Sequence, residues 1–248
     1  MEHWRWMIHT APFSAEHDAA APARFVLEQI DDGCFRPAPS YGFRYQPPDG
    51  GEPLVVTARS LPHSDFASVP TFLSWFVSRY GRHTPAALVH DQLVRDGMTQ
   101  TERAAADQAF LSMMEACDVP PVRSHVMWSA VTLATRWMRW PTRLALLAWG
   151  LAATAGLVAL GAGLVRGEPT WCAVALVAPA PAALLWGRQA KAGLVAGYAL
   201  PPAVVPALAS IAGYAVYWVV EEGFRRLRSL PPSRDVHDHP APVPFGSR

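Results

Sequence analysis

The stretch Thr84-Pro85-Ala86-Ala87-Leu88-Val89-His90-Asp91 predicts a helix that carries polar groups into an apolar core. Threonine followed by proline is typical of a helix start, so we expect Thr84 as the N-cap and a helix from Pro85 to Arg95. Helical spacing places either His90 or Asp91 on one stripe with Val94. An imidazole beside a carboxylate is therefore expected against apolar neighbours, where every polar group needs a partner.

The loop Asp65-Phe66-Ala67-Ser68-Val69-Pro70 leads into a second predicted helix just upstream. Ser68 precedes a proline and an apolar run, the pattern of a helix N-cap. The Asp65 carboxylate has two open roles in this loop. It either accepts backbone N–H groups of the turn or serves as a binding group at a helix N-terminus, where anions are favoured.

A third helix is predicted from Thr101 to Cys117, because Thr99 and Glu102 have the spacing of a capping box. Asp107 shares the apolar face of this helix and lies four residues after Arg103. A buried carboxylate must be paired, and this spacing predicts Arg103 as its partner. The pair either fixes the helix to its neighbour or contacts a site built around His90.

Short strands are predicted before these helices. Tyr41 to Gln46 and Leu54 to Thr57 flank a turn-forming Pro-Pro-Asp-Gly-Gly cluster and predict a hairpin. Arg24 to Ile30 fits either a strand or a helical turn. Residues 1–40 are therefore assigned to an N-terminal lead-in, and residues 41–140 to a soluble α+β domain that ends in a helix from Val122 to Trp140.

A lipid-soluble part is predicted after Pro141, because charged residues almost disappear there. About 20 apolar residues suffice to cross a bilayer as a helix. The prolines at Pro201-Pro202 leave two possibilities open, namely three crossings or a re-entrant turn that gives an even number. The predicted transmembrane region is 141–222, with helices at 144–165, 170–186 and 192–220, and residues 223–248 form a polar tail predicted to be disordered.

Basic residues near the first span predict its orientation. Arg136, Arg139 and Arg143 alternate with Trp137 and Trp140, which makes a basic and aromatic belt typical of the cytoplasmic interface. We therefore expect a protein of the inner, cytoplasmic membrane whose soluble domain faces the cytoplasm. Membrane lipid is the expected partner, and a protein partner is not indicated.

Charge and cysteine content exclude other classes of function. The formal net charge is +1 and the soluble part has no basic run, so the electrostatic footprint of a nucleic-acid-binding protein is missing. Cys34, Cys117 and Cys172 are far apart and predict free thiols rather than a metal cluster.

Three linked motifs resemble the bacterial and phage family known as domain of unknown function 1353. The resemblance covers roughly Tyr41 to Trp137 and implies a fold and a set of marked residues, with no established activity. Two segments depart from the family pattern: Leu61-Pro62-His63-Ser64 replaces Gly-Phe-x-Thr, and Leu93 and Val94 stand where aromatic residues are usual. The matching motifs are Asp65 to Pro70, Gly81-Arg82 with Ala86-Ala87 and His90-Asp91, and Arg103 with Ala106-Asp107 and Phe110.

The sequence thus predicts an α+β fold in which a small N-terminal β-hairpin region packs on a helical domain, followed by C-terminal transmembrane helices. We expect a polar cluster in which His90 is base or ligand and Asp91 or Asp65 orients it, with Ser68, Arg103 and Asp107 in support. Two functions fit this cluster. One is a hydrolase that acts near the membrane or cell envelope, and the other is a non-enzymatic membrane module in which the cluster only stabilises the fold.

A divalent metal is possible at this cluster, but no spacing compels one. His63, His83 and His125 are further candidate ligands, although loop histidines are more often solvated. The metal-dependent His-Asp phosphohydrolases form a third, weaker alternative. They need additional ligands and an all-helical fold, which the predicted hairpin argues against.

Overall fold

A computed structural model describes residues 7–8, 12–31, 34–48, 50–64, 81–94 and 98–228. They divide into two compact units, one that ends at Trp128 and one that begins at Ser129, and each is treated separately. The first contains seven strands, β1 (Met7–Ile8), β2 (Phe13–Ala15), β3 (Ala23–Arg24), β4 (Leu27–Asp31), β5 (Cys34–Pro37), β6 (Phe43–Tyr45) and β7 (Leu54–Val56).

The central sheet is antiparallel, with the strand order β2-β6-β7. Phe43 pairs with Val56, which confirms the predicted hairpin, and Phe13 pairs with Tyr45 on the other side. Alternation along β6 buries Phe43 and Tyr45 on one face, where the ring of Phe25 also packs. The N-terminal lead-in, residues 1–40, contributes β1 to β5, which are five of the seven described strands.

The strand alternative for Arg24 to Ile30 is correct. β4 and β5 form an antiparallel pair in which Leu27 faces Pro37 and Asp31 faces Cys34, with a register shift between Gln29 and Asp31. Residues 32–33, between these two strands, lie outside the described residues.

Helix α1 (Thr84–Leu93) is buried along almost its whole length. The predicted N-cap is one residue off, because His83 occupies that position and the Thr84 hydroxyl instead accepts the Gly81 N–H at 2.8 Å. The helix also ends two residues before Arg95, since Val94 is extended and its N–H closes the last turn on His90 O. The helix predicted after Ser68 lies outside the described residues.

Helix α2 (Gln100–Ala116) begins with the predicted capping box. The Thr99 hydroxyl accepts the Glu102 N–H and the Glu102 carboxylate accepts the Thr99 N–H, so two of the unpaired groups at the helix start are satisfied. The buried face of α2 carries Phe110, Met113 and Met114. This face, together with α1, forms the apolar core of the first unit.

Helix α3 (Pro121–Trp137) ends three residues earlier than predicted, because a new helix starts at Trp140-Pro141. The second unit then contains α4 (Trp140–Arg166), α5 (Pro169–Val177), α6 (Pro179–Ala183), a 3-10 helix (Leu184–Gln189) and α7 (Ala190–Arg228). Three segments are long and apolar enough to cross a membrane, Trp140–Arg166, Pro169–Ala199 and Pro202–Arg226. The predicted α+β fold with apolar C-terminal helices is confirmed.

The apolar helices run antiparallel in succession. A Cβ added at Gly163 would meet Cys172, whereas one added at Gly156 would meet Ala178. Earlier residues of α4 therefore lie beside later residues of the following helices, which means that these helices run in the opposite direction to α4. Gly187, with φ 58° and ψ −125°, then reverses the chain. Glycine is favoured here because residues with a side chain rarely adopt a positive φ of this kind.

Helix α7 continues through Pro201-Pro202, so the re-entrant turn considered at these prolines is not formed. Its 39 residues correspond to about 58 Å. The helix also extends beyond the predicted start of the tail at residue 223. Residues 229–248 lie outside the described residues.

Arg136, near the end of α3, holds the chain reversal at Gly187 in place. Its guanidinium donates hydrogen bonds to Trp186 O at 3.0 Å, Leu185 O at 3.2 Å and the Gln189 side chain at 3.1 Å. It also lies over the Trp186 ring, which packs edge-on against Trp149. Arg136 is only 6% exposed, so it belongs to the interior rather than to the predicted surface belt.

Replacing Arg136 by alanine should destabilise the second unit by roughly 3 kcal/mol, because charge-assisted hydrogen bonds are lost and buried carbonyl groups are left unpaired. Thermal unfolding of the full chain in detergent measures the effect. Arg188→Ala is the matched control, since Arg188 is exposed two residues from the same tryptophan. Equal losses in both variants would contradict the assigned role of Arg136.

Cys117, at the end of α2, should resist alkylation. Burial, with a smaller contribution from the Asp118 carboxylate, raises the pKa of its thiol from 9.0 to about 12. At pH 8 its thiolate fraction is therefore about a thousandfold below that of an ordinary cysteine. We expect iodoacetamide to modify the partly exposed Cys34 in the folded protein and Cys117 only after denaturation, as peptide mass mapping would reveal.

The same shift predicts lower stability at high pH. Between pH 9 and pH 12 the unfolded thiol ionises while the folded one stays protonated, so the free energy of unfolding falls over that window. Cys117→Ala should remove this part of the pH dependence. Rapid alkylation of Cys117 in the folded wild-type protein would contradict both expectations.

Candidate functional site

Three consecutive polar side chains on α1 contact three different parts of the first unit. Successive helical residues point about 100° apart, so His90, Asp91 and Gln92 face different neighbours. His90 contacts α2, Asp91 contacts Ser64, and Gln92 contacts β7. The adjacent residues of the His-Asp motif therefore do not form a pair with one another.

The first contact is a hydrogen bond between the side chains of His90 and Asp107. His90 Nε2 lies 3.0 Å from Asp107 Oδ1, and the two side chains are 13% and 1% exposed. An ionised carboxylate only accepts hydrogen bonds, so in the neutral imidazole Nε2 must carry the proton. This leaves Nδ1 with its lone pair. No hydrogen-bond partner of Nδ1 is found in the part of the chain that the structure describes.

The surroundings of the His90–Asp107 pair are mainly apolar. The Phe110 ring lies 5.1 Å from the imidazole, centre to centre, and is fully buried. Asp107 Oδ2 is also buried, and none of the residues described by the structure supplies it with a hydrogen bond. A buried, partly unsatisfied carboxylate is expected to hold an adjacent imidazole strongly, because the medium around it screens little.

The second contact joins Asp91 to Ser64. The Ser64 hydroxyl donates to Asp91 Oδ2, and the Ser64 backbone forms a two-bond bridge with Phe35. Among the described residues, Asp107 rather than the predicted Asp91 contacts the His90 ring, because residue i+1 of a helix cannot face the same neighbour as residue i. Asp65, the other acid predicted for this role, lies outside the described residues.

The third contact, made by Gln92, was not predicted. Its amide nitrogen donates to Val55 O at 3.0 Å and its amide oxygen accepts from the Ser60 hydroxyl at 3.0 Å. The side chain is buried, and both ends of the amide are satisfied. The available sequence signal was the spacing of four residues from Leu88, which puts Gln92 on an apolar face.

The predicted supporting residues have mixed outcomes. Arg103 was expected to pair with Asp107, but the hydrogen bond of that carboxylate among the described residues is with His90. Asp65 and Ser68 lie outside the described residues, so their predicted roles stay predictions. The geometry brings together His90, Asp107 and Phe110, all of which belong to the motifs identified in the sequence.

A metal ion would need ligands beyond this pair. The described segments contain no group of three or more histidine, cysteine or acidic side chains that could hold one. His90 and Asp107 alone would supply two, and they are in direct contact with each other. The further candidate ligands His63, His83 and His125 are described, and none of them forms such a group with this pair.

One cavity of the first unit is separate from the His90–Asp107 pair. It is an open cleft of about 460 Å³ between the β6 end and α2, bordered by Tyr45, Pro47, Pro48 and Met113 among others. Neither His90 nor Asp107 lines it, so the cleft does not define the access route to the pair.

Comparison with known proteins supports the motif assignment for part of the chain. No curated protein and no solved structure matches the chain significantly. The model of one family, described as protein of unknown function (DUF1353), matches residues 42–131. This segment contains α1, α2 and the His90–Asp107 pair, whereas the apolar helices from Trp140 onward lie outside it. The resemblance predicted from the sequence motifs is thereby confirmed for residues 42–131, which match the family of unknown function DUF1353.

Proposed function

We propose that this protein is a membrane-anchored hydrolase in which His90 is the general base and Asp107 holds it in position. The observation that carries the proposal is the 3.0 Å contact between His90 Nε2 and a carboxylate that is 1% exposed. It fixes the tautomer and leaves the other ring nitrogen available at a side chain that still reaches solvent. A carboxylate-oriented imidazole is a recurrent arrangement for proton transfer near neutral pH.

The chemistry follows from the two ring nitrogens. Nδ1 would take a proton from a water molecule as the water oxygen attacks an electrophilic carbon or phosphorus. The imidazolium that results would donate to Asp107 through Nε2 and return a proton to the leaving group through Nδ1. The buried carboxylate favours this charged intermediate, which lowers the barrier for proton abstraction.

Ser64 is not placed to act as a nucleophile in this scheme. Its hydroxyl donates to Asp91 and its backbone is fixed by the bridge to Phe35. Direct attack by water is therefore the simpler reaction for the described residues. The substrate class would be one with a hydrolysable bond at or near the membrane surface.

Membrane anchoring rests on the three apolar segments of the second unit. In water their exposed leucine, valine and tryptophan side chains would be costly, whereas lipid accommodates them. The basic and aromatic residues between Arg139 and Arg143 support an inner-membrane location with the N-terminal side of α4, and thus the soluble domain, in the cytoplasm.

The second candidate is a non-enzymatic membrane module in which the polar contacts only stabilise the fold. It is favoured by the observation that His90, Asp91 and Gln92 each join α1 to another element. In this view the His90–Asp107 pair is one of three polar contacts that hold α1 in place. The two proposals differ in whether His90 Nδ1 takes part in catalysis.

Replacing His90 by glutamine should lower kcat/KM by 10² to 10⁴, the usual contribution of a general base, with little change in KM. Full-length protein in detergent would be assayed with p-nitrophenyl acetate and with bis(p-nitrophenyl) phosphate. Asp107→Asn should cause a smaller loss, because the wrong tautomer becomes accessible. His17→Gln, at a highly exposed histidine, is the matched control. Wild-type rates that survive in His90→Gln would refute the base assignment.

A double-mutant cycle over His90 and Asp107 separates the two candidates. His90→Leu leaves a buried carboxylate unpaired and should cost on the order of 3 kcal/mol in the free energy of unfolding, measured with urea. The double leucine variant should be more stable than the sum of the single losses predicts, with a coupling of about 1 to 3 kcal/mol. If this coupling is found and the wild-type protein hydrolyses neither ester, the module without catalysis is the correct reading.

A further inference from the structure

Buried hydrogen-bond donors without an acceptor accumulate in the second unit. Arg225 has two such nitrogens, but its side chain lies 3.7 Å from the Glu221 carboxylate and 3.4 Å from that of Glu222, which neutralise its charge. Buried polar groups in proteins are almost always paired, so the remaining donors call for an explanation. Among the described residues from Ser129 onward, these remaining atoms are Thr132 Oγ1, Arg136 Nε, Trp149 Nε1 and Trp186 Nε1, on side chains that are at most 6% exposed.

Contacts between the side chains join these donors into one cluster. The Arg136 guanidinium carbon lies 5.3 Å from the centre of the Trp186 ring, whose centre is 5.1 Å from that of Trp149. Thr132 precedes Arg136 by four residues on α3, so both lie on the same face of that helix. A Cβ added at Gly193 would be 2.7 Å from the Trp186 indole, which places the α7 backbone directly against the ring. The cluster is therefore enclosed by α3, α4, the 3-10 helix and α7.

The cluster contains a positive charge without a counter-ion. The Arg136 guanidinium donates to two backbone carbonyl groups and to the Gln189 amide, all of which are neutral. From residue 119 to residue 220 the sequence contains a single carboxylate, Glu168, which follows α4. The end of α4 at Arg166 is 17 residues beyond Trp149, or about 25 Å. Burial lowers the pKa of the guanidinium from its usual value, as expected for a cation with no acid beside it.

The kind of atom that lacks a partner indicates the kind of ligand. A water molecule must donate hydrogen bonds as well as accept them, and in this cluster only the Thr132 hydroxyl can also accept. An anion accepts without donating, and it compensates the charge of Arg136 as well. Side chains this well buried surround a compact ion better than a lipid headgroup, whose acyl chains must reach the surface. One arginine matches a single negative charge.

We propose that Thr132, Arg136, Trp149 and Trp186 bind a chloride ion inside the second unit. Arg136 Nε supplies the charge-assisted hydrogen bond, and the two indole N–H groups and the threonine hydroxyl complete the set of donors. Such an ion would link α3 and α4 to the turn before α7. The inference goes beyond the proposed function, because neither hydrolysis nor membrane anchoring requires an anion at this place.

The test uses the full chain in dodecyl maltoside, with sodium gluconate replaced stepwise by sodium chloride at constant total salt. An ion that binds only the folded state stabilises it in proportion to ln(1 + [ion]/Kd), so the melting temperature should rise with chloride and yield an apparent Kd. Bromide, a halide of similar size, should act in the same way. Equal melting temperatures in chloride and gluconate would refute the anion site.

Trp149→Phe removes one N–H donor and keeps an aromatic ring, so it should raise the apparent Kd for chloride about tenfold or more. Thr132→Val removes the hydroxyl from α3 and should also weaken binding, which keeps the test decisive if the tryptophan variant does not fold. Trp171→Phe, at an indole on α5 that is 44% exposed, is the matched control and should keep the wild-type Kd. The same Kd in all three variants would reveal a general salt effect and overturn the proposal.

Discussion

The arrangement of the first unit depends on the polar contacts of α1. A helix buried on nearly every side cannot leave polar groups unpaired, so His90, Asp91 and Gln92 determine where α1 can lie. His90 requires α2 at one side, Gln92 requires the end of β7 at another, and Asp91 requires the Ser64 bridge. Apolar packing alone would tolerate small shifts of the helix. Three hydrogen-bonded side chains in three directions fix both its rotation about its axis and its position along that axis.

Much of this architecture was predictable because it follows from local patterns. The capping box at Thr99 and Glu102, the hairpin around the Pro-Pro-Asp-Gly-Gly turn and the three apolar segments all depend on neighbouring residues. The buried position of Asp107 was likewise visible from its spacing to Phe110. Strands β1 and β2 were missed because two or three residues give no readable period, and the pairing of β2 with β6 is a long-range event.

The partners of buried charges were the least predictable part. Spacing along α2 favoured Arg103 as the partner of Asp107, because helical spacing predicts contacts within one helix but not contacts with another helix. The same limit applies to Arg136, which looks like a surface cation in a basic belt but donates to carbonyl groups around Leu185, 49 residues away. The re-entrant turn considered at Pro201-Pro202 is not formed for a different reason. Proline removes one helical hydrogen bond, but in an apolar setting no other backbone conformation satisfies the remaining ones better.

The choice of residues at the His90–Asp107 contact bears on its purpose. Burying two polar groups costs desolvation energy that their mutual attraction often only balances, so two apolar side chains would join α1 to α2 at least as well. A purely structural role therefore explains poorly why an imidazole and a carboxylate occupy these positions. The asymmetry of the contact adds to the argument. Asp107 is 1% exposed whereas the His90 side chain is 13% exposed, so the imidazole is the member of the pair that still reaches solvent. A general base needs such access, because its substrate must come within hydrogen-bond distance of the ring.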